Sequence, residues 1–128
     1  MGYFMNMRGQ NFTILNRNKE RALSLLKGYA KGKTGMAWVE PSDITAAETL
    51  VEAFDKCRYE ADVNADGDIY YICFVGEKLG DDEEIFKAIA PAVENGSFIE
   101  MEGGDGLLWR WVFNDGVCKE VYGRIVWE

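Results

Sequence analysis

The sequence predicts an α+β fold: a single domain over residues 1–128, with an antiparallel sheet of five or six strands, three helices mainly on one face and a C-terminal β-meander. Three observations carry this prediction. From Ser97 onward the chain holds three strand-length runs, Ser97–Glu102, Leu107–Phe113 and Val117–Trp127, separated by the turn sequences GGDG and NDG with no helix between them. In the middle run Leu107, Trp109, Trp111 and Phe113 share one face while Leu108, Arg110 and Val112 share the other, a period of two that is favourable only if the aromatic face is buried. Upstream, apolar residues recur at helical spacing in three separate segments, which supplies the cover for that face.

In chain order, Tyr3–Met7 and Phe12–Leu15 read as two short strands joined by a glycine turn at Arg8–Asn11, an N-terminal hairpin. The first helix follows, with Asn16 or Asn18 as N-cap, Ala22, Leu25, Leu26, Tyr29 and Ala30 on one stripe, and Gly32 as the stop. Arg17, Arg21, Lys27 and Lys31 group on the opposite side, either as a solvated face or as a contact for phosphates or an acidic protein. Met36–Glu40 reads as a short strand ended by Pro41. Thr45 and Glu48 have capping-box spacing, and Ala47, Leu50, Val51, Phe54 and Cys57 recur behind them, which predicts a second helix over 45–57.

Tyr59–Val63 and Ile69–Val75 alternate as strands around a three-residue loop, a register that sets Val63 opposite Ile69 and Ala61 opposite Tyr71. The second of these strands is apolar on both faces and is expected at the centre of the sheet. The same segment carries the sharpest motif in the chain. Asp62, Asn64, Asp66 and Asp68, with Gly67 and Ile69, match the first eight positions of an EF-hand-type calcium loop. The match fails at the twelfth position, which is Cys73, and runs into strand-like sequence where a helix is needed. A hairpin turn requires the same Asn, Asp and Gly for backbone reasons, so the motif is read as a decoy and no metal or other cofactor is expected.

Asp81 is the expected cap of the third helix, in which Ile85, Phe86 and Ile89 face the core and Asp82, Glu83 and Glu84 complement the positive end of the helix dipole. Pro91 kinks or ends it, and Asn95-Gly96 leads into the meander. Within the meander a three-residue turn at Asn114–Gly116 pairs Trp109 with Val121 and Trp111 with Lys119, whereas a two-residue Asp-Gly turn puts Tyr122 and Glu120 there. The first is preferred because it gathers Glu100, Glu102, Arg110, Glu120, Tyr122 and Arg124 on one polar face. That face is either a charged binding surface or a solvated face with cross-strand ion pairs.

Composition narrows the function. The chain is 48% apolar with 17 aromatics, which fits a folded protein, and no stretch approaches the roughly 20 continuous apolar residues of a membrane span. The N-terminus lacks the features of a secretory signal, and the three cysteines, Cys57, Cys73 and Cys118, fit reduced thiols in a cytoplasm. Histidine is absent, which removes the commonest general base, the usual partner of Ser and Cys nucleophiles, and the imidazole ligands of most zinc and iron sites. The net charge of −8 conceals a division: residues 1–38 hold seven Lys/Arg against Glu20 alone, and residues 39–128 hold seven against 21 acids.

The pattern YFMN…NFTI…NKERAL near the N-terminus, with GEKLGDDEEIF…IAP…FIEMEGGDG…WRWVF near the C-terminus, resembles small uncharacterised proteins of bacterial and phage genomes, a family with no known activity. The resemblance implies a mobile-element context, in which small acidic proteins are often inhibitors of host defence enzymes. It supplies no site residues. The functional expectation is a non-enzymatic cytoplasmic binding protein that meets a basic site on a protein partner through Asp81, Asp82, Glu83, Glu84, Glu100 and Glu102. Nucleic acid is disfavoured as a partner by the overall charge, and no membrane association is expected. The alternative is a small-ligand binder or enzyme with an aromatic-lined pocket between sheet and helices.

Overall fold

The computed structural model describes residues 2–124 and 126–127. In chain order it contains strand β1 (Met5–Asn11), helix α1 (Lys19–Lys31), short helices α2 (Pro41–Thr45) and α3 (Leu50–Lys56), strands β2 (Tyr59–Val63) and β3 (Ile69–Phe74), helix α4 (Asp82–Ile89), and strands β4 (Ser97–Gly103), β5 (Leu108–Asn114) and β6 (Val117–Gly123). The fold is α+β with a C-terminal meander. Among the described residues six strands form two sheets instead of one: an antiparallel sheet in the order β1-β4-β5-β6, and a separate β2-β3 hairpin. Among the described residues no helix is long and apolar enough to cross a membrane.

The alternation of β5 organises the core. Trp109, Trp111 and Phe113 are buried beside Ile99 and Met101 of β4 and Met5 of β1. Leu107, expected on the same face, precedes the strand and is exposed. Phe86 of α4 covers this face, its ring 5.2 Å from Trp111 and 6.1 Å from Phe113. Tyr59 of β2 stands 5.2 Å from Phe86 on the other side, and Phe12 links Phe113 to Phe54 of α3, mostly in edge-to-face arrangements that suit the ring quadrupoles. The buried apolar side chains join in one cluster.

Several local expectations are corrected by long-range packing. The N-terminal hairpin does not form. β1 runs straight through Arg8–Asn11 and pairs with β4, with a bulge between Met7, opposite Met101, and Gly9, opposite Glu100. Phe12–Leu15 makes no strand, although Ile14 exchanges two backbone hydrogen bonds with Ile69. Apart from that bridge β3 pairs with β2 alone, so it is not central, and its Tyr70 and Tyr71 face outward. In the hairpin Val63 does stand opposite Ile69, but a bulge after Asp62 moves Ala61 opposite Ile72.

Met36–Glu40 is a tight turn in which Met36 bridges Val39 and Trp38 has φ 66°. Pro41 starts a helix at N1, where its missing N–H is harmless. The predicted helix over 45–57 is broken: α2 ends at Thr45, and α3 begins after Thr49, whose side chain accepts from Glu52 N. The capping spacing Thr-x-x-Glu occurs twice in succession, and the structure uses the second copy.

The β5–β6 turn has two residues. Asp115 and Gly116 have φ 53° and 76°, both positive as a type I′ turn requires, and Asp115 N donates to Asn95 Oδ1 at 2.7 Å. Trp109 therefore stands opposite Tyr122, and Trp111 opposite Glu120. Glu120 and Tyr122 leave the polar face for the aromatic one, where Trp111 Nε1 donates to Glu120 Oε1 at 2.9 Å. The turn's twist matches that of the strands, which decides against the three-residue alternative. β6 stops at Gly123; Arg124, Val126 and Trp127 are exposed, and Ile125 of the predicted run lies outside the described residues.

Candidate interaction surface

Asp82 is not a surface acid. It lies on the buried stripe of α4 with Ile85, Phe86 and Ile89, a spacing already present in the sequence, and its side chain is fully buried. Its carboxylate accepts from Tyr59 OH at 2.7 Å, from Gly80 N at 2.7 Å and from Arg58 Nη2 at 3.1 Å. Arg58, held at φ 75°, also donates through Nη1 to Lys78 O at 2.6 Å. Burial first, and then the Asp82 charge, raises the Tyr59 phenol well above its usual value and pushes the Cys57 thiol up to about 12. Both groups stay protonated at neutral pH, so this cluster ties β2 to the start of α4 and offers no activated nucleophile.

The other predicted acids are exposed to differing degrees and are partnered. Glu83 pairs with Lys87 at 3.3 Å; Glu84 pairs with Lys33 at 3.6 Å and accepts from Tyr29 OH. Asp81 Oδ2 accepts from Ala37 N at 3.0 Å. On the far face of the sheet Glu100 meets Arg110 at 2.6 Å and Arg8 at 3.7 Å, and Glu102 meets Arg8 at 3.8 Å. The β1 bulge places Arg8 between the two glutamates, and Arg110 also lies over the Phe98 ring. Such pairs add little stability, but they cancel the local field. The six predicted residues are thus divided between α4 and the opposite face of the sheet, and they form no single acidic surface.

The longest run of acids without an ion pair lies elsewhere. Residues 40–68 hold nine, Glu40, Asp43, Glu48, Glu52, Asp55, Glu60, Asp62, Asp66 and Asp68, against Lys56 and Arg58. Among the described residues none of the nine is in an ion pair. They sit on α2, α3 and the β2-β3 hairpin, or, for Glu40 and Glu48, in the segments just before α2 and α3, and these elements are packed in succession. On the outer face of the hairpin Glu60 stands opposite Cys73 and Asp62 opposite Tyr71, while Tyr70 and Tyr71 are 51% and 38% exposed. The Tyr71 phenol is raised above its usual value, by the neighbouring Cys73 thiol first and by Asp62 last. Carboxylates interleaved with exposed phenol rings can pair with a guanidinium or ammonium and stack on it. Sequence reasoning missed Glu60 and Tyr71; their alternation along the strands was the available signal.

Two of the calcium-like side chains, Asn64 and Asp68, are employed in hydrogen bonds at the turn. Asn64 Oδ1 accepts from Asp66 N and Asp68 N, each at 3.0 Å, Gly67 takes φ 84°, and Asp68 Oδ1 accepts from Asn16 N at 2.7 Å. The basic side of α1 is not a uniform field either. Lys19, Lys27 and Lys31 line an open groove of about 750 Å3 together with Glu20, Glu48 and Thr49, and Arg21 donates to Pro91 O. The space that an aromatic-lined pocket would need between sheet and helices is filled by Phe12, Tyr59 and Phe86, all fully buried. Comparison with models of protein families, with curated proteins and with solved structures gave no match.

Proposed function

We propose that this chain is a non-enzymatic cytoplasmic binding protein that meets a basic site on a protein partner through the acidic face of α2, α3 and the β2-β3 hairpin. The observation that carries this reading is the contrast in pairing. Glu83, Glu84, Glu100 and Glu102 each meet a cation, whereas the nine carboxylates of residues 40–68 meet none among the described residues. Unpaired charge of one sign steers a basic partner, and Tyr71, opposite Asp62, supplies contact area with little entropy to lose. Three free thiols suit a reducing compartment. The resemblance to bacterial and phage proteins makes inhibition of a host enzyme the setting in which such a surface would act.

The test is affinity capture from a bacterial lysate with charge-reversed pairs. Glu60→Lys with Asp62→Lys is expected to abolish capture without lowering the melting temperature, and Glu83→Lys with Glu84→Lys to leave it intact. Raising salt from about 50 to 500 mM should weaken the wild-type complex, since the Debye length is about 10 Å at 0.1 M. Capture that ignores both the hairpin reversals and the salt would overturn the reading.

A further inference from the structure

We propose that β6 is a self-association edge: two copies of the chain pair β6 against β6, antiparallel about a two-fold axis, and extend the four-stranded sheet to eight strands. The proposal is independent of the acidic-surface reading. It starts from the two edges of the main sheet, which are treated differently. The β1 edge is capped at its start by the segment after β3, where Met5 N donates to Glu77 O at 3.0 Å, Leu79 N donates to Tyr3 O at 2.8 Å and Phe4 bridges Lys78, and it is bulged between Met7 and Gly9. β6 has β5 on one side and, among the described residues, no strand on the other. It carries no proline and its pairing with β5 has no bulge, so two of the usual protections of an edge strand are missing. Val117, Val121 and Tyr122 are large apolar or aromatic side chains exposed along it.

The edge also has the hydrogen-bonding groups in place. Asn114 and Val117 close the two-residue turn, so Val117, Lys119, Val121 and Gly123 direct their N–H and C=O groups toward β5. Cys118, Glu120 and Tyr122 direct theirs outward. A second strand would find three consecutive outward pairs of groups to meet.

Charge selects the occupant and its register. A two-fold axis normal to the sheet keeps each side chain on its own face, so the residue on the axis meets itself. Registers that overlap five or more residues of β6 are centred on Lys119, Glu120 or Val121. The first opposes Lys119 to Lys119 and the second Glu120 to Glu120, both unfavourable. Centring on Val121 opposes no like charges. It sets Val121 on Val121 and, on the other face, places each Glu120 carboxylate opposite a Tyr122 hydroxyl of the second copy. Those two groups already hydrogen-bond within one chain, so their chemistry is matched. The edge is therefore complementary to itself in one register.

Sedimentation velocity of the full chain over a concentration series tests this. A reversible dimer is expected. Val121→Glu, which brings two carboxylates together on the axis, should weaken it by about tenfold or more while circular dichroism and melting temperature stay unchanged. Val121 would form a non-hydrogen-bonded pair with Cα atoms about 4.5 Å apart, within disulfide reach. Under mild oxidation Val121→Cys should give a covalent dimer, and Lys119→Cys, opposite Gly123 of the second copy, should not. A wild-type chain that stays monomeric throughout the series overturns the proposal, and so does a dimer that Val121→Glu leaves intact.

Discussion

The hydroxyl of Tyr59 donates to the Asp82 carboxylate at 2.7 Å, and both side chains are fully buried. This bond joins the first residue of β2 to the first residue of α4, and Arg58 supplies the compensating charge 3.1 Å away. Removing one member of a buried pair leaves the other uncompensated, which costs more than the pair contributes. Asp82→Ala is expected to destabilise the protein by about 3–5 kcal/mol in urea denaturation. Tyr59→Phe should cost about 1–3 kcal/mol. The double variant should show a coupling on the order of 1 kcal/mol, and strict additivity would mean that the two groups act separately.

Alkaline destabilisation should trace in part to Cys57, beside the buried Tyr59 phenol, which shifts in the same direction. Its folded value, about 12, is raised above the ordinary 9.0 by burial and by Asp82, so the folded state holds the proton more tightly than the unfolded state. The contribution is complete below about pH 9 and is lost as pH rises toward 12, by up to about 1.4 kcal/mol for each pH unit. Cys118 follows in the same direction, mainly through burial. Melting temperatures measured across that range should fall less steeply for Cys57→Ala than for the wild type. Equal slopes would assign the loss to other groups.

The loop between β2 and β3 should behave as a turn. Asn64→Ala removes the acceptor of two backbone N–H groups and is expected to cost about 1 kcal/mol, whereas Asp66→Ala should be nearly neutral. Calcium at about 1 mM should leave the melting temperature unchanged, because a site at 100 times its dissociation constant would add about 2.7 kcal/mol. A rise of several degrees that Asp66→Ala abolishes would establish a calcium site.

The two capping sequences make opposite demands on threonine. Thr49→Ala should lower stability by about 1 kcal/mol, since its hydroxyl accepts from Glu52 N at the start of α3. Thr45, whose hydroxyl donates to Ser42 O inside α2, should tolerate alanine at less than about 0.5 kcal/mol. Thermal melts of the two variants decide which threonine caps the helix.

Periodicity alone determined the elements whose side chains alternate without help from elsewhere: the stripe Ala22, Leu26 and Ala30 on α1, Ile85, Phe86 and Ile89 on α4, and Trp109, Trp111 and Phe113 on β5, all buried. These follow from local spacing, because any cover for an amphipathic face satisfies it. Tertiary structure decided what pairs with what. β1 found β4 at the far end of the chain instead of the segment after it, and no local spacing distinguishes those partners. A one-residue difference in the β5–β6 turn moved Glu120 and Tyr122 across the sheet, as any change of register must. The acids divided for the same reason. A carboxylate in the first turn of a helix suits the dipole whether it points to water or inward, and only the arrival of Tyr59 from β2 and of Arg58 just before it made burial of Asp82 favourable. Charge is additive along a sequence, but pairing is a property of distance, so which carboxylates stay free for a partner was settled when the chain folded.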